Sequence, residues 1–333
     1  MRQRLNTILF LIGIASIVVM ILTFDVNFTE VWKCISDSGF WLLAAILLWA
    51  VAYELNAKVW RIIIRGSGPC PISSWQLWKM TVSGFALNTT VPIGGVGGEP
   101  YRILEAGRYI GNERATSSVI LFAMMHIFSH FWFWLTGVAA YLLLVVIAKW
   151  SVDFMAVWTI ILTCFISLGG IWFFVKGYRY GLVLRLARFL GKIPGLRNWS
   201  RRILDKYHQS LTDIDQQITA LWCQNRKAFY QSLVIEYLCR WLQAFEVLFV
   251  MVMIGHYSGV LTIFYAFLII SFTSMYANLI GFIPLQVGGR EGGFALSVAM
   301  LGIAPEVGIV ISMVCRIREI VWVIIGIGIM RRK

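Results

Sequence analysis

Charge is scarce in this chain. Of its 333 residues only 14% are Asp, Glu, Lys or Arg, against about a quarter in ordinary soluble domains, which excludes a solvated globular surface. Acidic residues are scarcer still, 16 against 29 Lys and Arg. The six cysteines (Cys34, Cys70, Cys164, Cys223, Cys239, Cys315) fall in no CxxC and no metal-ligand spacing. They are read as apolar filler and leave the redox compartment open. No GxSxG, no GxxxxGK[ST] and no repeated Asp-rich motif is present, which removes a hydrolase elbow, a nucleotide-driven motor and a metal-diphosphate enzyme. His126 and His130 have the i, i+4 spacing of a zinc-peptidase helix, but Ile127 stands where that motif needs glutamate and no third ligand follows at a telling spacing. They are read as packing or polar lining. No metal, no cofactor and no enzymatic chemistry is expected.

Apolar residues take the place of charge. They make up 59% of the chain, with 15 Trp, and positions 5–24 and 154–175 are uncharged runs of 20 and 22 residues. Each is long enough to cross a hydrocarbon core of about 30 Å at about 1.5 Å per residue. Arg2 and Arg4 precede the first run, but Phe24, Asp25, Val26 and Asn27 follow it where a cleavage site would need small residues. A retained anchor is expected rather than a signal peptide.

The net charge of +13 is therefore read for its position along the chain, and no nucleic acid partner is expected from it. Positions 176–227 hold 11 Lys and Arg against three Asp, and the chain ends Arg331, Arg332, Lys333. Facing this basic set to the cytoplasm predicts an all-α polytopic protein of the cell membrane with both termini inside. Six spans are expected, near 5–24, 40–60, 115–148, 154–175, 229–254 and 307–330. Residues 115–148 hold no charge over 34 positions, about 51 Å as one helix, so this span is strongly tilted or broken near Gly137. The basic stretch 176–227 is expected at the cytoplasmic interface, with 176–206 lying on anionic inner-leaflet lipids. All of 1–333 is read as one integral membrane domain.

Two segments fit no simple span. "VPIGGVGGEP" at 91–100 and "GFIPLQVGGREGG" at 281–293 interrupt apolar stretches with glycine, proline and glutamate. Charge placement makes 72–112 a re-entrant hairpin opening to the cytoplasm and 260–304 a second one opening outward. Each has Pro and Glu seven residues apart (Pro92 and Glu99, Pro284 and Glu291), a VGG between them, and an Asn ahead, Asn88 or Asn278. Matching breaks entering from opposite faces are the pattern of an inverted-repeat transporter with its site near the midplane. Irregular backbone in hydrocarbon is tolerated only where it is buried in protein or lines a wet cavity. Each leaving half-helix would aim its N-terminal N–H groups inward, as an anion site does. Glu236, Arg240 and Gln243 at i, i+4, i+7, together with Arg290, Arg316, Arg318 and Glu319, must also face inward, because a lipid-facing charge costs roughly 2.5–3.5 kcal/mol. Glu54 and Lys58 are read as interfacial.

"NTTVPIGGVGGEPYR", "IPLQVGGREGG", the basic segment between them and the arginine-containing last span resemble the lysylphosphatidylglycerol synthase transmembrane family, also called the flippase-like domain family. The resemblance covers nearly the whole chain. Some members carry a cytosolic aminoacyl-transferase domain; this sequence ends at Lys333 without one, so a stand-alone member is expected. The resemblance implies lipid translocation. Within the first loop it carries over to Pro92, Gly94, Gly95, Gly97, Gly98, Glu99 and Arg102, and within the second to Pro284, Gly288, Gly289 and Glu291. Leu285 and Gln286 depart from its more glycine-rich pattern. The expected substrate is a phosphate-bearing membrane lipid, a phospholipid or a polyprenyl-phosphate carrier, moved without ATP hydrolysis by this chain. The substrate-binding set adds Asn88, Glu236, Arg240, Arg290 and Arg316. A secondary transporter of a small anion or solute, and a membrane enzyme acting on lipid-linked substrates, stand as alternatives.

Overall fold

Four helices of the protein start where the sequence supplies a capping side chain or a proline. Ser73 Oγ accepts from the Gln76 N–H while Gln76 Oε1 accepts from the Ser73 N–H, a reciprocal capping box that starts one helix. Asp153 and Asn225 accept from the N–H groups of Ala156 and Ala228 to start two more. Pro305, with no N–H to lose, begins the last. The computed structural model describes residues 28–90, 97–149, 152–181, 183–192, 197–254, 259–279 and 289–330.

Among these residues there are eleven α-helices and no strand: α1 (Phe28–Gly66), α2 (Ser74–Thr90), α3 (Gly98–Ile110), α4 (Asn112–Ala148), α5 (Phe154–Tyr180), α6 (Val183–Leu190), α7 (Arg197–Gln224), α8 (Arg226–Met253), α9 (Val260–Leu279), α10 (Gly289–Ala299) and α11 (Pro305–Met330). Gly39, at φ 47°, kinks α1. The expected first span, 5–24, and both glycine-rich tips, 91–96 and 280–288, lie outside the described residues. α4 runs unbroken through Gly137 for 37 residues, about 55 Å, so of the two forms expected for this stretch the single long helix is the one present.

Among the described residues four helical stretches are long and apolar enough to cross a membrane: Gly39–Gly66, Asn112–Ile147, Phe154–Tyr180 and Val260–Leu279. α8 and α11, 28 and 26 residues long, match them in length but carry the charged residues described below. Their outward faces are apolar, with Leu238, Phe245, Ile309 and Ile324 exposed.

Packing puts the two helix-break-helix units on opposite sides of a seam. α2 packs on α3, and α9 on α10. α11 packs along both α2 and α10, while α8 packs on α1 and α9. Two apolar cores result. One gathers Trp60, Ile63, Phe122, Met125, Phe128, Tyr178 and Phe229, and the other Phe133, Trp134, Val247, Met251, Phe272 and Phe294. α4 and α8 run through both cores. On α4 the change falls between Phe128 and Phe133, and on α8 between Phe229 and Ala244. Ser129 and His130 on α4 and Glu236, Arg240 and Gln243 on α8 occupy these intervals, with His126 and Glu246 just beyond them.

Candidate functional site

The first unit is stapled at its ends. The Gly98 N–H donates to Asn88 Oδ1 at 2.5 Å, and Asn88 Nδ2 donates to Glu99 Oε1 at 3.1 Å. Asn88 thus ties the end of α2 to the start of α3. This corrects one sequence expectation: the α3 N-terminus does not present all its N–H groups, because a side chain of the preceding helix takes one. α3 can approach so closely because Gly98 lies on the backbone of Gly84, where an added Cβ would overlap the Gly84 carbonyl. Gly84 in turn leaves room for the Arg102 guanidinium.

Arg102 is 2% exposed. Its Nη1 donates to Glu99 Oε1 and its Nη2 to the Thr81 carbonyl, each at 3.3 Å. Its charge lies 4.8 Å from the Phe85 ring centre and 5.3 Å from that of Phe122, so its contacts are an ion pair, a carbonyl and two aromatic faces.

At the seam, Arg240 on α8 donates from Nε to Ser129 Oγ at 3.3 Å and from Nη2 to the His126 carbonyl at 3.2 Å. The same Nη2 lies 2.9 Å from His126 Nδ1 and 3.4 Å from Glu236 Oε2. Glu236 is fully buried, and its Oε2 lies 3.0 Å from His126 Nδ1. The His126 ring sits 5.8 Å from Phe85 on one side and 5.5 Å from His130 on the other. The two histidines therefore link the first unit to the second.

In the second unit Glu291 accepts from Arg316 Nε and Nη2 at 3.0 and 2.9 Å. Arg316 Nη1 also donates to Glu319 Oε2 at 3.3 Å, and Arg290 pairs with Glu319 Oε1. Beside them Arg318 holds Glu246 in a two-pronged pair, at 2.8 and 3.1 Å, while Trp49 Nε1 donates to Glu246 Oε2 at 2.9 Å. The Arg318 guanidinium stacks 3.8 Å over the Trp49 ring. A cavity of about 130 Å³ opens among these groups, lined by Trp49, His130, Gln243, Glu246, Asn278 and Arg290 among others.

The sequence-derived residues thus fall into three linked clusters: Asn88, Gly98, Glu99 and Arg102; Glu236 and Arg240; Arg290, Glu291 and Arg316. Gly97 and Gly289 are buried at the starts of the two short helices, whereas Pro92, Gly94, Gly95, Pro284 and Gly288 lie outside the described residues. Glu54 and Lys58 form an exposed pair at 3.7 Å, away from these clusters. Sequence reasoning missed Glu246 and Trp49. The available signal for Glu246 was its place three residues after Gln243, the next turn of the polar stripe on α8. Trp49 gave none, since an indole in an apolar helix reads as lipid-facing. In the ion pairs of this network five arginines (102, 240, 290, 316, 318) face five glutamates (99, 236, 246, 291, 319). With both histidines neutral its formal charge is zero.

No group of three or more His, Cys, Asp or Glu side chains among the described residues is arranged to hold a metal ion. Neither a curated protein nor a solved structure matches the chain. A family model does, and it covers residues 9–328, which makes this a membrane protein of lipid metabolism or translocation. The chain belongs to the lysylphosphatidylglycerol synthase TM region family.

Proposed function

We propose that the protein carries a phosphate-bearing lipid, a phospholipid or a polyprenyl phosphate, from one membrane leaflet to the other. The observation that carries this reading is the cavity and its buried ion-pair network on the seam between two helix-break-helix units. At about 130 Å³ the cavity holds a headgroup phosphate with a few waters, well below the roughly 300–1,000 Å³ of pockets that enclose whole small ligands. The hydrocarbon chains therefore stay in the bilayer while the headgroup crosses. Arg102, Arg240, Arg290 and Arg316 supply positive charge to it by exchanging a glutamate oxygen for a phosphate oxygen.

Helix lengths support a second arm in each unit that stops short of the opposite face. α3 and α10 have 13 and 11 residues, about 20 and 17 Å, too short for a core of about 30 Å. Each unit dips in and returns, the first from the cytoplasm and the second from outside. Both chain termini are cytoplasmic. α6, with Arg185 and Arg188 on one side and an exposed Phe189, lies on the anionic inner leaflet. The chain itself performs no covalent chemistry and needs no ATP.

Reconstitution tests this reading. Vesicles carrying the protein should exchange a chain-labelled anionic phospholipid between leaflets faster than protein-free vesicles, and Arg102→Ala and Arg316→Ala should each slow that exchange about tenfold or more, equal to about 1.4 kcal/mol of lost binding. Flux of a soluble anion without lipid exchange would assign the small-solute alternative. Chemical conversion of a lipid-linked substrate by the purified chain would assign the enzyme alternative.

A further inference from the structure

A phosphate headgroup brings a negative charge into a network whose five arginines already face five glutamates. Something must neutralise it, because an unbalanced charge at membrane depth is expensive. The contacts of His126 point to a proton. Its Nδ1 lies 2.9 Å from Arg240 Nη2 and 3.0 Å from Glu236 Oε2. A ring nitrogen carries either one hydrogen or one lone pair. Bearing hydrogen, it donates to Glu236. Bearing a lone pair, it accepts from Arg240, and its approach to Glu236 is then favourable only when that carboxyl holds a proton. The two forms place one hydrogen on Nδ1 or on the carboxyl without moving a side chain, so an additional proton goes to the carboxyl oxygen that neither contact uses, Oε1.

Two further atoms support this. Glu236 Oε1 is buried without a hydrogen-bond partner among the described residues, and so is His130 Nδ1. His130 is 9% exposed, lines the cavity and meets the His126 ring edge to face with centroids 5.5 Å apart. The ionisable groups facing the Glu236 and His126 pair are Arg240 and Cys239 on α8, His130 on α4 and Arg102 on α3. α1 contributes Asn56, which donates to Cys239 Sγ.

We propose that Glu236 and His126 form a proton-binding site that loads one proton with each phosphate headgroup, making lipid movement an electroneutral proton symport; this rests on the translocase reading above. An aqueous proton forms one O–H bond at Glu236 Oε1 while His126 keeps its Nδ1–H as donor to Oε2, so no bond within the protein is broken. The empty, proton-free network is neutral, and so is the network holding one proton and one phosphate monoanion. Release on the other face reverses the step.

The test reads an end point and not a rate. Vesicles reconstituted with the full chain receive tail-labelled phosphatidylglycerol, and an impermeant quencher reports its leaflet ratio at steady state. With the potential clamped at zero, one pH unit across the membrane should enrich the lipid about tenfold on the alkaline side. A potential without a pH gradient should leave the ratio at one. Glu236→Gln keeps the carboxyl's shape without its titration and should invert both responses, losing the pH dependence and following voltage at roughly tenfold per 60 mV. Glu236→Asp should keep the wild-type pattern. A wild-type ratio that follows voltage or sodium and ignores pH overturns the proton site while leaving translocation standing. Absence of exchange at zero gradient removes the translocase reading and the symport with it.

Discussion

For single residues, the cost of desolvating charge decides where each one sits. Arg318 and Glu246 are 2% and 1% exposed and hold each other through two hydrogen bonds. Removing one partner leaves the other buried and unpaired, which costs about 3–5 kcal/mol, whereas replacing both with apolar groups of similar volume is often neutral. Glu246→Ala should accordingly lower the melting temperature in nanodiscs by that amount of stability, and Glu246→Leu combined with Arg318→Met should recover most of it. A double variant no more stable than the single one would show that the pair is not the source. The inward placement of Glu236, Arg240, Arg290, Glu291 and Arg316 was legible in the sequence, because lipid rejects charge. Glu236 and Arg240 pair at the i, i+4 spacing seen in the sequence, but the other partners were not legible: Arg290 meets Glu319 and Glu291 meets Arg316 across different helices, and no spacing along one helix encodes a contact with another.

Among the helices, caps and close approaches set where chain segments stop and how near they come. Asn88 takes the first N–H of α3 and also holds Glu99. Asn88→Ala should destabilise that junction by about 0.5–2 kcal/mol, read as faster amide hydrogen exchange at residues 98–102 with α9 and α10 unchanged. Equal acceleration in both units would mean that the staple is not local. Element limits were largely readable in advance: the glycine-proline runs separate α2 from α3 and α9 from α10, and Pro305 opens α11. The course of α4 past Gly137 was ambiguous in the sequence because a lone glycine permits a break without requiring one. Its neighbour settles it, since Ser271 on α9 fills the space beside Gly137, and helix packing in an apolar surrounding favours small residues at such contacts.

Across the whole molecule, the proposed sidedness of the two units makes a direct prediction. Single cysteines replacing Ser74 and Glu113 should react with an impermeant thiol reagent from one side of the membrane, and those replacing Val260 and Ala304 from the other, in a background freed of native cysteines. All four positions are exposed. If Ser74 and Glu113 label from opposite sides, the first unit crosses the membrane and the paired-entry arrangement falls. Charge asymmetry is what predicts this arrangement from sequence, whereas the seam between two apolar cores was not legible, because it depends on which turn of α4 and α8 meets which neighbour. α11 adds a mechanical consequence. It is pinned to the second unit through Arg316 and Glu291 and to the first where Ser83 Oγ donates to the Gly326 carbonyl at 2.8 Å. These two joints sit about 15 Å apart along one stiff rod. Under the translocation proposed above, movement of that rod that breaks one joint leaves the other to hold it, so both units would come free of α11 together only if both joints broke.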